Sequence, residues 1–303
     1  MALTGGADLK VTLCDLAKLE AVCSFPGAPL NKLYEVALSS TGRYALSRGF
    51  DGFGAVWDLD KCQEVMRLFS YTFAFRPDGQ AFVTAPLRLP GASIFRLEDR
   101  HETKLGVGGQ TSYSRVMFDP AGRMVAGAEA TSIHLWNGHT GQLLRVIELD
   151  QMVARDEGEG FAGGLCFSGD SRSLLVGCTN GRILLIDVEG GKLRRAWRFP
   201  EGLAVSQVSF VGRAQGAILA RACAVGSPGL PAKRFTAMWD MVNSEPTWCR
   251  QGHVVVDNRC RFAAAATDEG DVLLLDATGG KELLRLRGFE HGKKWARVSG
   301  EAG

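Results

Sequence analysis

Proline is scarce in this chain, at 10 residues, and histidine and tyrosine are scarcer, at five and four. So little proline excludes a collagen-like or proline-rich low-complexity chain. No apolar run approaches the roughly 18–20 residues of a membrane-spanning helix. Ile183-Leu184-Leu185-Ile186 is typical of the short runs present. The opening MALTGGADLK lacks a basic segment followed by an apolar stretch, so no export signal is expected. The closing RVSGEAG carries no lipidation signal. A net charge of +2 gives no general attraction to nucleic acid or to an anionic membrane. None of the eight cysteines falls in a CxxC pair, so a zinc site has no support. The five histidines show no metal-binding spacing either. Without an export signal the cysteines are expected as thiols in a reducing compartment, the cytoplasm.

Glycine, by contrast, is plentiful. Its 38 copies in 303 residues compare with an average near 7%. They punctuate an internal repeat. Residues 34–69, 71–106, 114–149 and 163–199 are four units of one pattern. A longer unit runs from near Val205 to Arg250, and another from His253 to about Arg287. Each begins with a short alternating strand and a turn such as Arg76-Pro77-Asp78-Gly79. A strand of small residues follows, such as Val125-Ala126-Gly127-Ala128. A third strand ends in a large residue and usually Asp. A turn such as Glu189-Gly190-Gly191-Lys192 then leads to a fourth, more exposed strand. Proline pre-sets such turns and glycine accepts positive φ, so these are hairpin signals.

The third-strand dipeptide reads Trp57-Asp58 and Trp239-Asp240. Degraded forms are Trp136-Asn137, Ile186-Asp187, Leu275-Asp276, Cys14-Asp15 and Phe95-Arg96. A Gly-His dipeptide opens one unit at Gly252-His253, with Glu290-His291 a loose counterpart. The whole pattern resembles the WD40 repeat family, in a divergent form. The dipeptides recur at an average of about 43 residues, one WD40 period of four strands. The resemblance implies an all-β, seven-bladed β-propeller with four antiparallel strands per blade. Six full blades are expected over about 33–69, 70–107, 113–150, 162–199, 204–250 and 252–288. Residues 1–25 supply the second, third and fourth strands of a seventh. Residues 292–303, through Trp295-Ala296-Arg297-Val298, are expected to add its first strand, so both ends of the chain share the closing blade. The whole chain then forms one propeller domain.

In many WD40 blades the His of Gly-His pairs with an Asp in the turn between the second and third strands. Carried over, the resemblance implies structural pairs His253 with Asp268, and His291 with Asp8. Asp51 occupies the matching turn without an evident His, and Glu129 and Asn180 stand at corresponding places. Loops between second and third strands, and between blades, commonly bind partners in this family. Three elaborate segments map there: Ala85–Gly91, Asp150–Gly160 and Cys223–Arg234. Leu87, Leu89 and Leu230 are candidate apolar anchors, and Arg88, Arg155, Lys233 and Arg234 candidate charge-assisted contacts. The alternative is that these loops are tolerated surface insertions.

Enzyme signatures find little footing. No Gly-x-Ser-x-Gly elbow occurs. Gly190-Gly191-Lys192 and Gly279-Gly280-Lys281 lack the earlier glycine and the following Ser or Thr of a phosphate loop. Gly106-Val107-Gly108-Gly109 has no helix after it. Lys192–Arg198 sets an aromatic among cations, a nucleic-acid signal, but on an outer strand where alternating charge protects an edge. The expectation is a non-catalytic scaffold, without cofactor or metal, that binds another protein or peptide. It acts as a monomeric ring or as a subunit of a larger complex, with neither nucleic acid nor membrane as partner. The alternative is a propeller enzyme or small-ligand sensor using polar residues at a central channel.

Overall fold

The computed structural model describes residues 2–5, 10–15, 17–18, 20–26, 33–49, 51–86, 89–106, 112–152, 162–211, 216–223, 234–256, 261–267, 271–289 and 294–300. At 2, 5, 26, 151, 201, 223, 253, 288, 289 and 294–300 it describes the backbone alone.

Two compact units divide the chain, residues 1–149 and 150–303. The first holds four antiparallel sheets. These are β1 (Ala2–Gly5), β2 (Lys10–Asp15) and β3 (Glu20–Pro26); then β4 (Leu33–Leu38), β5 (Tyr44–Gly49), β6 (Phe53–Asp58) and β7 (Gln63–Phe69). Next come β8 (Thr72–Phe75), β9 (Ala81–Ala85), β10 (Ser93–Arg96) and β11 (Glu102–Lys104), and then β12 (Arg115–Phe118), β13 (Met124–Ala128), β14 (Ser132–Asn137) and β15 (Leu143–Glu148).

The second unit holds three sheets. One is β16 (Ala162–Phe167), β17 (Ser173–Cys178), β18 (Arg182–Asp187) and β19 (Leu193–Arg198). The next is β20 (Ala204–Val211), β21 (Ala217–Cys223), β22 (Arg234–Asp240) and β23 (Trp248–Gln251). The last is β24 (His253–Val256), β25 (Phe262–Ala266), β26 (Asp271–Asp276), β27 (Glu282–Phe289) and β28 (Lys294–Gly300). Helix is limited, among the described residues, to the single 3-10 turns Asp150–Met152 and Pro200–Gly202. Seven meandering sheets with almost no helix make this an all-β, seven-bladed β-propeller.

One expectation is corrected. Among the described residues the C-terminal strand pairs within the last sheet. β28 pairs antiparallel with β27, with Gly288 opposite Trp295 and Leu286 opposite Arg297, while β1–β3 remains a three-stranded sheet. The two strands are close in sequence, and a pairing so local costs less chain entropy than one between the two ends of the chain.

The core lies between consecutive sheets. One cluster joins β8–β11 to β12–β15 through Val83, Ile94, Val125 and Trp136. Another joins β16–β19 to β20–β23 through Leu175, Ile183, Phe199 and Trp239. Second strands are therefore covered on both faces, and β9 and β17 are buried along their whole length. Each fully buried large apolar side chain contributes on the order of 2 kcal/mol, against about 1 for a turn hydrogen bond. Packing between sheets therefore dominates. The signature tryptophans serve it. Trp57 meets Phe25 of the preceding sheet at 5.0 Å between ring centroids, and Trp239 meets Phe199 at 5.7 Å.

The Asp that follows has a different task. It caps the turn leaving the third strand. Asp15 accepts N–H bonds from Ala17 and Lys18, and Asp58 from Asp60 and Lys61. Asn137 accepts from His139 and Thr140, and Asp240 from Val242 and Asn243. Asp276 accepts from Thr278 and Gly279. The Asn243 N–H first, then that of Val242, holds the Asp240 carboxyl below the usual carboxylate range.

Candidate functional site

The second sheet presents an aromatic cluster at the end where β4 and β6 begin and β5 and β7 finish. Its geometry starts with a bulge. The register of β4 against β5 shifts between Leu33 and Glu35, so Tyr34 is the extra residue. A bulged residue leaves the ladder and its side chain is re-aimed. Tyr34 turns over the guanidinium of Arg48, whose Cζ lies 4.3 Å from the ring centroid. Tyr71, in the link to the third sheet, takes a second approach at 5.3 Å. Arg48 Nε donates to Glu35 Oε2 at 2.8 Å, across the β4–β5 ladder. A buried arginine is thus neutralised by a carboxylate and contacted by two rings. Each cation–π contact contributes about 0.5–2 kcal/mol, more as water is excluded.

Beside this stack, Phe53 and Phe69 face each other across β6 and β7, with ring centroids 4.6 Å apart. Tyr34 is 61% exposed, Phe69 58% and Tyr71 38%. Leu89, before β10 in the third sheet, is 53% exposed. Scattered exposed apolar residues are ordinary, but rings gathered at one end of a sheet are the composition of recognition surfaces.

The support below is polar and fixed. Ser70 N donates to Gly52 O and Tyr71 N to Ala85 O, both at 2.8 Å. Thr84 Oγ1 donates to the buried Ser70 Oγ at 2.9 Å. Val116 N of the fourth sheet reaches Thr72 Oγ1 at 3.2 Å. Phe53 N bonds Asp51 Oδ1 at 3.1 Å, with Gly52 at φ 82° closing the turn. Tyr71 is therefore held by backbone on both sides, which limits the ordering cost of binding.

A second cluster lies within the fourth sheet. Tyr113 Oη and His134 Nδ1 are 2.7 Å apart, His134 Nε2 and Ser132 Oγ 3.4 Å, and Ser132 Oγ donates to Glu129 Oε2 at 3.1 Å. Because Ser132 spends its proton on Glu129, the chain runs one way: Tyr113 donates to Nδ1, and Nε2–H donates to Ser132. His134 is neutral in this arrangement. Burial pushes it below its usual value, against the opposing pull of Glu129 and Glu148. His134 Nε2 also lies 3.5 Å from Glu129 Oε2, so the imidazole faces the tyrosine on one side and the Ser132–Glu129 pair on the other. The chain satisfies buried polar atoms beside Trp136.

The glycine-lysine turns have their amides engaged. Gly190 N donates to Asp187 Oδ2 and Gly191 N to Asp187 O, while Gly279 N donates to Asp276 Oδ2 and Gly280 N to Asp276 O. The basic stretch on β19 is likewise used internally. Arg194 binds Asp187 and Ser173, and Arg195 binds the carbonyls of Met241 and Val242. Trp197 Nε1 donates to Asn243 O at 3.0 Å. Among the described residues, no group of three or more His, Cys, Asp or Glu is placed to hold a metal ion, and no helix is long and apolar enough to cross a membrane.

Of the loop residues singled out in the sequence, Leu89 is exposed and shares the first unit with the aromatic cluster. Arg234 is exposed at the start of β22, opposite Cys223 by register, and its carbonyl accepts from Gly252 N. Leu87, Arg88, Arg155, Leu230 and Lys233 lie outside the described residues. So do Asp8, Asp268 and His291, while His253 is placed by backbone only, opposite Ala266. Sequence reasoning missed Tyr34, Arg48, Phe69 and Tyr71. Their signal was position: aromatics at the ends of a first and a fourth strand rather than at inward places. It also assigned Glu129 no histidine, whereas His134, from the same hairpin, lies 3.5 Å away.

No protein-family model matches the chain, and no curated protein matches it.

Proposed function

We propose that the protein is a divergent WD40-type propeller acting as a non-catalytic scaffold that binds another protein or a peptide. The observation that carries this is the exposed aromatic cluster of Tyr34, Phe69 and Tyr71 built on the buried Arg48–Glu35 pair. Rigid aromatics bring large contact area at small conformational cost, and such residues dominate binding energy at interfaces. Seven repeats of the Trp-Asp turn grammar, with the acidic residue acting as a cap in most of them, support the WD40 reading. We place its work in the cytoplasm, without cofactor, and with a protein rather than nucleic acid or membrane as partner.

The test is affinity capture with the intact chain, Tyr34→Ala/Phe69→Ser and Arg88→Glu/Arg234→Glu, each checked for an unchanged melting curve. Partners retained by the last variant and lost by the aromatic one support docking at the second sheet. Partners lost only on charge reversal move the surface to the elaborate loops. Identical capture by all three overturns both.

A further inference from the structure

The turn after the third strand has a fixed backbone form, and one of its positions is occupied unusually. In four of the sheets the fourth residue after the capping Asp or Asn is in the left-handed region. In three sheets it is glycine: Gly141 at φ 70°, Gly191 at 65° and Gly280 at 68°. In the second sheet it is Cys62, at φ 50°, and the matching place four residues after Arg96 in the third sheet is Arg100, at φ 59°. A side chain there carries a steric cost that glycine does not, and such residues concentrate where they serve a function.

Where that side chain points is set by the fold. A methyl group added to Gly141 would lie 2.9 Å from Thr103 Cγ2 and from Lys104 O on β11. One added to Gly280 would lie 2.8 Å from Trp248 Cγ on β23. Both contacts fall on the outermost strand of the preceding sheet. For the second sheet that strand is β3, and β3 carries Cys23. Cys23 packs on the cluster that contains Leu59, and the Cys62 thiol itself reaches Leu59 O at 3.6 Å. Cys23 holds the same register place as those two residues: it stands opposite Leu13 as Thr103 stands opposite Ile94 and Trp248 opposite Met238, each partner being the residue before the third-strand dipeptide, so the Cys62 side chain is aimed at Cys23. Neither is in a disulfide, and Cys62 is exposed while Cys23 is partly buried.

We propose that Cys23 and Cys62 are a redox pair that oxidises to a disulfide joining the first sheet to the second. The oxidant class is a hydroperoxide. Cys62, the exposed sulfur, attacks as thiolate. An S–O bond forms, the O–O bond breaks and hydroxide leaves, giving a sulfenic acid. Cys23 then loses its proton and its sulfur attacks that of Cys62. The S–S bond forms, the S–O bond breaks, and hydroxide leaves as water with that proton. Two thiols give up two electrons and the peroxide is reduced to water. Burial, and then the Cys62 thiol beside it, pushes Cys23 up to about 11, so condensation quickens as pH rises. The bond closes a loop of about 40 residues in the unfolded chain, and the oxidised protein therefore melts at a higher temperature.

The experiment treats the folded, intact chain with hydrogen peroxide, blocks remaining thiols and maps tryptic peptides without reduction. Cys23 falls in the peptide 19–32 and Cys62 in 62–67, each with one cysteine. The expected product is those two peptides linked, formed before any adduct at exposed Cys249 and lost on adding dithiothreitol. Cys23→Ser should leave a dimedone-reactive sulfenic acid on Cys62. Cys62→Gly, which restores the glycine of three other turns, should fold at least as stably and form no link. Oxidation of Cys62 without the linked peptide, or linkage no faster than modification of Cys249, overturns the proposal.

Discussion

Trp57 donates its indole N–H to Ser47 Oγ at 2.8 Å, inside the second sheet. Trp57 is opposite Ala45, and Ser47 stands two residues further along β5. Trp239 occupies the same place in the sixth sheet, opposite Ile218, and two residues along β21 stands Ala220. The buried Trp239 Nε1 has no partner among the described residues. Ala220→Ser should supply the acceptor and raise stability by about 1 kcal/mol, and Ser47→Ala should lower it by about 1–3. Urea midpoints at constant m check both, and a destabilising Ala220→Ser sinks the account.

The small-residue strand is small for steric reasons. A methyl at Gly127 would lie 2.7 Å from Trp136 Cζ3 and 3.0 Å from Tyr113 Cδ1, and one at Gly177 would lie 2.6 Å from Val205 Cγ1. Gly127→Ala is expected to cost about 1–3 kcal/mol by overpacking, although alanine favours a strand no less than glycine does. Chemical denaturation measures it, and a neutral result would mean the rings can move aside.

His134 links stability to pH. Its folded value is lowered below the ordinary 6.5, so as pH falls the unfolded chain takes up the proton first. The stability held by the neutral ring is present above about 6.5 and is lost as pH drops below it toward the lower folded value. His134→Gln should flatten the decline in urea midpoint between pH 7 and 5.5. An unchanged slope would assign that decline to other groups.

Asp271 gives an acid limb of its own. It is buried, Arg287 holds it with two bonds of 2.8 and 2.9 Å, and Arg285 adds a third at 3.3 Å. Arg287, chiefly through its hydrogen bonds, keeps the carboxyl below its ordinary 3.8. This stability is present above that value and is lost as pH falls through the lower folded one. Asp271→Asn should lower the melting temperature at pH 7 by a few degrees and make its fall between pH 5 and 3 shallower. Scanning calorimetry at three pH values decides it.

The repeat was legible because its turns use residues with few substitutes: Asp or Asn to accept two amides, and glycine for positive φ. Strand β28 was harder to place. A short alternating strand such as Trp295–Val298 suits either the first or the last sheet, and closeness in sequence rather than side chains selects β27. The aromatic cluster was hidden for another reason. Tyr34 reaches Arg48 through a bulge, a one-residue irregularity that alternation cannot express, and Tyr71 comes from a separate segment. Ser132, His134 and Trp136 share one face of β14 by simple alternation, so that part of the buried chain was readable, whereas its end at Tyr113 was not.

Asn137 is followed by Gly138, the pairing in which an asparagine amide is most easily lost over time. Its side chain serves its turn only as an oxygen acceptor, from His139 and Thr140, and the Gly138 N–H is held on Arg123 O. Deamidation runs through a cyclic imide on the Gly138 nitrogen that opens mostly to isoaspartate, which puts an extra carbon into the turn; the lesser product alone is the aspartate that Asp58, Asp240 and Asp276 already are in their own turns. The same pairing recurs at Asn180-Gly181, where Asn180 Oδ1 accepts from Arg182 N, so chemical ageing would lengthen the backbone within turns of two sheets that depend on this acceptor.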